Sequence, residues 1–118
     1  MYLENLEQQA IDNTNFRTVV ATGEHLQIVL MSVETEIGEE THPDNDQMLY
    51  LVEGTGTVVL DGVEEAFLAG DVVLVPAGTL HNFINTGEQP MKIITTYSPP
   101  HHPKGTVHKT KAEADAAE

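Results

Sequence analysis

The stretch 70-GDVVLVPAGTLHNFIN-85 decides the reading of this chain. Gly70 opens a turn, residues 72–75 form an apolar run, Pro76 and Gly78 punctuate a second turn, and residues 79–84 return as another strand. The expected object is a hairpin that aims one histidine, His81. The same grammar repeats on either side. Residues 16–21 and 26–33 are rich in Val, Ile and Leu and flank the turn Thr22-Gly23-Glu24, so they are predicted to pair. Residues 47–53 run into Gly54 and Gly56, while 57–60 and 63–68 flank Asp61-Gly62, a dipeptide suited to a type I′ turn. Residues 91–97 end at Ser98-Pro99-Pro100, because proline cannot donate to a strand ladder. Roughly nine short strands at even spacing predict an all-β sandwich or barrel.

At the N-terminus, Leu6, Ala10 and Ile11 sit near helical spacing, which predicts a short docked helical turn. Past Pro99 the chain is polar and extended, with His101, His102 and His108, and then becomes an Ala- and Glu-rich stretch of helix formers. The expected organisation is one barrel over residues 1–98, with an arm at 1–15, and a C-terminal tail over 99–118 that either packs across the barrel or extends into solvent.

A chain of 118 residues can bury roughly two-thirds of its unfolded surface, enough for one core without staples. It has no cysteine, no charged-then-apolar leader, and no apolar run near the roughly 18 residues of a membrane span. A cytoplasmic protein is therefore the expectation. Five basic residues against nineteen acidic ones give a formal net charge of −14. Such a balance argues against nucleic acid or an anionic membrane as a partner. It also weighs mildly against a phosphorylated substrate unless a local Arg or Lys reverses it.

The spacing from Gly70 is five residues to Pro76, one to Gly78, two to His81 and three to Asn85, and it resembles the second conserved motif of the cupins at every position. The first cupin motif, anchored on Gly54, leads back six residues to Gln47, a further four-residue gap to His42, and then Glu40 two positions earlier. Glu40 stands where that motif usually has its first His, and Gln47 where it has its Glu. The segments 15-NFR-17, 27-QIVLM-31, 36-EIGEETHP-43, 75-VPAG-78, 81-HN-82 and 97-YSPP-100 resemble small single-domain cupins. The resemblance implies a double-stranded β-helix, a homodimer, and a divalent metal held by Glu40, His42, Gln47 and His81. Proteins of this kind are sometimes labelled mannose-6-phosphate isomerase, whose zinc site similarly uses a Gln, a Glu and two His.

Strand geometry gives these four residues a physical case. Side chains two apart on a strand share a face, so Glu40 and His42 can converge while Thr41 faces away. Gln47 then comes from the next strand and His81 from the strand after the Pro-Gly turn. Two imidazoles, a carboxylate and an amide oxygen suit Fe²⁺, Mn²⁺, Co²⁺, Ni²⁺ or Zn²⁺. The turn at Pro43 leaves Asp44 or Asp46 as alternatives to Glu40. His101 and His102 are expected to be exposed, and His108 to lie either in a free tail or near the pocket mouth. Met48, Tyr50 and Val52 alternate with inward residues, and an apolar outer face suggests the subunit contact. The functional expectation is a metal-dependent enzyme acting on a small polar molecule, by isomerase-type or dioxygenase-type chemistry; the alternative is a non-catalytic module that binds a small ligand.

Overall fold

Period-two alternation is clearest in Asp46–Glu53, where Gln47, Leu49 and Leu51 are buried and Met48, Tyr50 and Val52 are half-buried on the opposite face. The computed structural model describes residues 1–117. In chain order it contains α1 (Leu6–Asp12), β1 (Arg17–Thr22), β2 (Gln27–Val33), β3 (Asp46–Glu53), β4 (Thr55–Leu60), β5 (Val63–Leu68), β6 (Val72–Val75), β7 (His81–Asn85), β8 (Met91–Ser98), β9 (Val107–His108) and α2 (Lys111–Ala116). A six-stranded sheet in the order β6-β3-β8-β2-β1-β9 faces a three-stranded sheet in the order β5-β4-β7. The architecture is the double-stranded β-helix. Its core includes Val29, Met31, Leu49, Leu51, Phe67, Phe83, Ile93 and Tyr97, drawn from the inward positions of both sheets.

The expected pairings at residues 16–33 and 57–68 form: β1 pairs with β2, and β4 with β5, both antiparallel. Asp61 and Gly62 both have positive φ, 48° and 83°, as a type I′ turn requires. The hairpin expected over residues 72–84 does not form. β6 pairs with β3 in one sheet and β7 with β4 in the other. The Pro76–Gly78 turn is therefore a corner that carries the chain from sheet to sheet, and Gly78 reaches φ 83° there while its N–H donates to the His42 carbonyl at 2.9 Å.

The strand expected through Glu40 and His42 is also absent as regular structure. Glu40 makes a single bridge to His81, and Pro43, which has no N–H, ends the pairing. The alternation survives nonetheless: Glu40 is half-buried, Thr41 exposed and His42 buried.

The outer apolar face is covered in part by the chain itself. α1 lays Leu6 and Ala10 onto a small cluster with Leu30, Ile94, Val20, Ile28, Tyr50 and Val52. The Tyr50 hydroxyl donates to the Glu7 carboxylate at 2.9 Å. Among the described residues no helix is long and apolar enough to cross a membrane.

Residues 99–117 fold back over the barrel. β9 pairs with β1, the Phe16 N–H donates to Lys109 O, and the Val19 N–H to Thr106 O. α2 is capped by Thr110, whose side chain accepts from the Glu113 N–H, and it buries Ala114 in the main core. One side chain clamps this segment. Gln27, with no exposed surface, accepts from the N–H groups of His101 and His102 at 3.1 and 2.9 Å and donates to His102 O at 2.8 Å. A Gln27→Leu substitution keeps the bulk but leaves those backbone groups without partners. It should lower stability by about 1–3 kcal/mol in urea unfolding and make residues 99–105 the first site of limited proteolysis.

Candidate metal centre

Two segments meet at this site. The connection from β2 to β3 brings Glu40 and His42, β7 brings His81, and the ligand-type atoms of these three residues lie within 4.8 Å of one another. Reciprocal backbone hydrogen bonds between Glu40 and His81, both 2.9 Å, set that approach. His81 Nδ1 lies 2.9 Å from Thr79 O; a carbonyl can only accept, so Nδ1 carries the proton and Nε2 keeps its lone pair. His42 Nε2 stands 3.0 Å from Glu40 Oε2, yet it is buried with no partner at hydrogen-bonding geometry.

Gln47 lies beside this group on β3. Its amide is oriented by Thr95, whose hydroxyl accepts from Gln47 Nε2 at 3.1 Å and donates to Met48 O at 2.8 Å. Gln47 Oε1 is thereby left buried without a partner. An orphaned buried amide oxygen and an orphaned imidazole nitrogen are costly unless something fills the space between them. These donor types fit a divalent transition metal, and no thiolate is present to call for a closed structural zinc site.

Asp44 and Asp46 stay outside the group. Both are exposed, and Asp46 accepts from the Ala77 N–H at 2.9 Å. The carboxylate at the centre is Glu40. Burial would raise its pKa, but the adjoining His42 imidazole, Arg17 and His81 outweigh burial and hold it below the usual carboxylate range. His81 is lowered mainly by burial, against its bond to Thr79.

Of the tail histidines expected in solvent, His101 is exposed and His102 is half-buried, and both rings pack against the group around His42 and Tyr97. The His101 ring packs 4.5 Å from the His42 ring and stacks at 5.3 Å on Tyr97, while His102 is half-buried against the edge of Tyr97. Arg17, which the sequence offered only as part of 15-NFR-17 and as one of the few available cations, shares the inward face of β1 with Val19, and an arginine at an inward strand position is a readable signal. The structure places Arg17, His101, His102, Pro103, Thr106, His108, Ala114 and Ala117 around a cavity of about 180 Å³ that adjoins the centre through His101. A smaller concavity of about 130 Å³ beside Thr14, Phe16 and Lys109 includes none of the clustered residues.

With this geometry in view, the cupin domain family matches residues 27–97. The chain is a cupin. This cupin is 42% identical over 125 residues to the Bacillus subtilis protein YrkC, covering 99% of this chain and 67% of the relative. It is 30% identical to the Streptomyces cyaneus protein named polyketide synthase CurC, covering 84% of this chain and 64% of that one. A crystal structure of the Bacillus halodurans protein BH2720 superimposes with a TM-score of 0.96 at 42% identity, covering 98% of the cupin and 93% of that chain.

Acid sensitivity follows from the buried imidazoles. Burial, helped by the nearby Arg17 charge, pushes His102 down to about 3, whereas an unfolded histidine titrates near about 6.5. Between those values the unfolded chain binds more protons than the folded one. Stability should thus be complete above about pH 6.5 and decline as the pH falls toward about 3. His102→Asn should flatten that decline, read as the urea midpoint at a series of pH values.

Proposed function

We propose that this cupin is a metal-dependent enzyme that moves a proton on a small carbonyl-bearing substrate, with Glu40, His42, Gln47 and His81 holding one divalent transition metal. The observation that carries the reading is the convergence of two imidazoles and a carboxylate beside the unpartnered Gln47 oxygen. When bound, the metal supplies Lewis-acid polarisation of a carbonyl or hydroxyl oxygen. His101 is the proton carrier in this reading. Burial and the neighbouring His42 and Arg17 lower its pKa, so a ring nitrogen is free near neutrality to take a proton from the carbon next to the carbonyl and return it elsewhere on the substrate. Tyr97 is held protonated by burial and acts as a wall for His101. The relative named as a polyketide synthase supports a substrate with carbonyl groups.

The cupin should purify with close to one metal per chain. His42→Ala and His81→Ala should each abolish occupancy measured by elemental analysis, and Thr95→Val should weaken metal affinity by about 10–100-fold by releasing Gln47. Unchanged occupancy in both histidine variants would remove the metal site. His101→Gln should retain metal yet lose turnover in aldose–ketose interconversion assayed without oxygen. Oxygen uptake in place of interconversion would move the reading to a dioxygenase, and ligand binding with no turnover would move it to a binding module.

A homodimer contact is also proposed, but shifted from Tyr50 and Val52, which α1 covers, to Met48 and the edge strand β6, where Val72 and Leu74 are 60% and 63% exposed. Val72→Lys with Leu74→Glu should give a monomer by light scattering, and a monomeric wild type at micromolar concentration would remove the contact.

A further inference from the structure

Arg17 is a buried cation with no ion-pair partner among the described residues. It is 3% exposed, and among the described residues no carboxylate lies within ion-pairing distance of its guanidinium. Among the described residues, the one side-chain contact it makes through nitrogen is from Nη1 to His108 Nδ1 at 3.1 Å. Arginine can only donate, so His108 Nδ1 is the acceptor and carries no proton. Nε of Arg17 is buried with no partner, as is Nε2 of His102. The guanidinium carbon also stands 5.4 Å over the Phe16 ring, which offsets a small part of the desolvation. Leaving a desolvated guanidinium with unused donors is expensive, and among the described residues no carboxylate pairs with it.

The space facing these groups is the cavity of about 180 Å³ between β1, β9, α2 and the segment at 101–106. Pro103, Ala114 and Ala117 give it apolar wall; Arg17, His101, His102 and His108 give it nitrogen. We infer that this cavity is a carboxylate subsite, in which Arg17 takes the acid group of a small organic acid while the rest of the molecule reaches past His101 toward Glu40, His42 and His81. Size and charge select the class. Among the described residues, Arg17 is the one arginine or lysine lining the cavity, and a single guanidinium matches one carboxylate through two parallel hydrogen bonds better than it matches a phosphate dianion. The remaining cations are occupied elsewhere or open to solvent: Lys92 donates to Asn13 O and Ser32, Lys111 pairs with Asp115, and Lys104 and Lys109 are exposed. The inference names the substrate class for the function proposed above, but the pocket stands on its own residues and does not require the metal.

The test is titration calorimetry of the full chain, as purified and after chelation, with pyruvate, its uncharged methyl ester and inorganic phosphate as probes. Pyruvate should bind in both preparations, and the ester should bind at least about tenfold more weakly. Arg17→Gln should lose pyruvate affinity by at least about tenfold, and so should Ala117→Phe, which fills the cavity without touching the guanidinium. Metal content should be unchanged in both variants, whereas His81→Ala should lose metal and keep pyruvate binding in the chelated state. If Arg17→Gln fails to fold, judged by circular dichroism, the Ala117→Phe result decides. Equal binding of pyruvate and its ester, or full affinity in Ala117→Phe, would overturn the subsite, and tighter binding of phosphate than of pyruvate would overturn the carboxylate assignment.

Discussion

Two backbone hydrogen bonds hold the functional end of this molecule together, the reciprocal pair between Glu40 and His81. The segment from β2 to β3 has no sheet of its own, and it is stitched to β7 along its length. The Asn85 N–H donates to Thr35 O, the Ile37 N–H to Phe83 O, and the Gly38 N–H to the Asn82 side chain, which itself donates to Glu36. Each stitch pins one more turn of a segment that would otherwise lie in water. The Glu40–His81 bridge is the last of them before the chain turns at Pro43, and the Gly78 N–H takes hold of the His42 carbonyl just beyond it. Sub-ångström placement of three donor groups therefore rests on backbone pairing, which side-chain substitution leaves intact.

Electrostatics act on this frame in one direction. The chain is strongly acidic overall, but the mouth of the barrel gathers Arg17, His42, His81, His101, His102 and His108 around the single carboxylate of Glu40. Burial keeps the imidazoles of His81, His101 and His102 short of protons, so these three serve as lone-pair donors and acceptors more than as cations. The outcome is an interior in which one guanidinium and a group of neutral imidazoles are set apart from the acidic surface, so the side facing Arg17 offers a small anion a site that the exterior lacks.

The parts legible in the sequence are those governed by short-range rules. Alternation in β3, the Asp61-Gly62 turn and the residues Glu40, His42 and His81 could be read because each depends on neighbours a few positions away. The misreadings share one physical origin. Whether β6 and β7 pair with each other or diverge into different sheets depends on partners more than twenty residues upstream, and a Pro-Gly turn serves either arrangement. The same holds for the tail: nothing local to His101 or His102 reveals that Gln27, some 75 positions earlier, would clamp them. Tyr50 and Val52 were correctly assigned outward, but what covers them is a seven-residue helix whose own sequence only marginally supports helical structure.

The cavity beside Arg17 is assembled from opposite ends of the chain, with the Arg17 to His108 contact spanning 91 positions. Closing so long a loop is entropically slow, and its contacts reward the closure only after the sheet between them exists. β9 is a two-residue strand at the edge of the six-stranded sheet, paired there with β1. It therefore belongs to the part of the molecule that forms last and opens first, on a timescale independent of the rigid barrel. Were that final strand to lift from β1, the cavity it walls would exchange with solvent without any hinge.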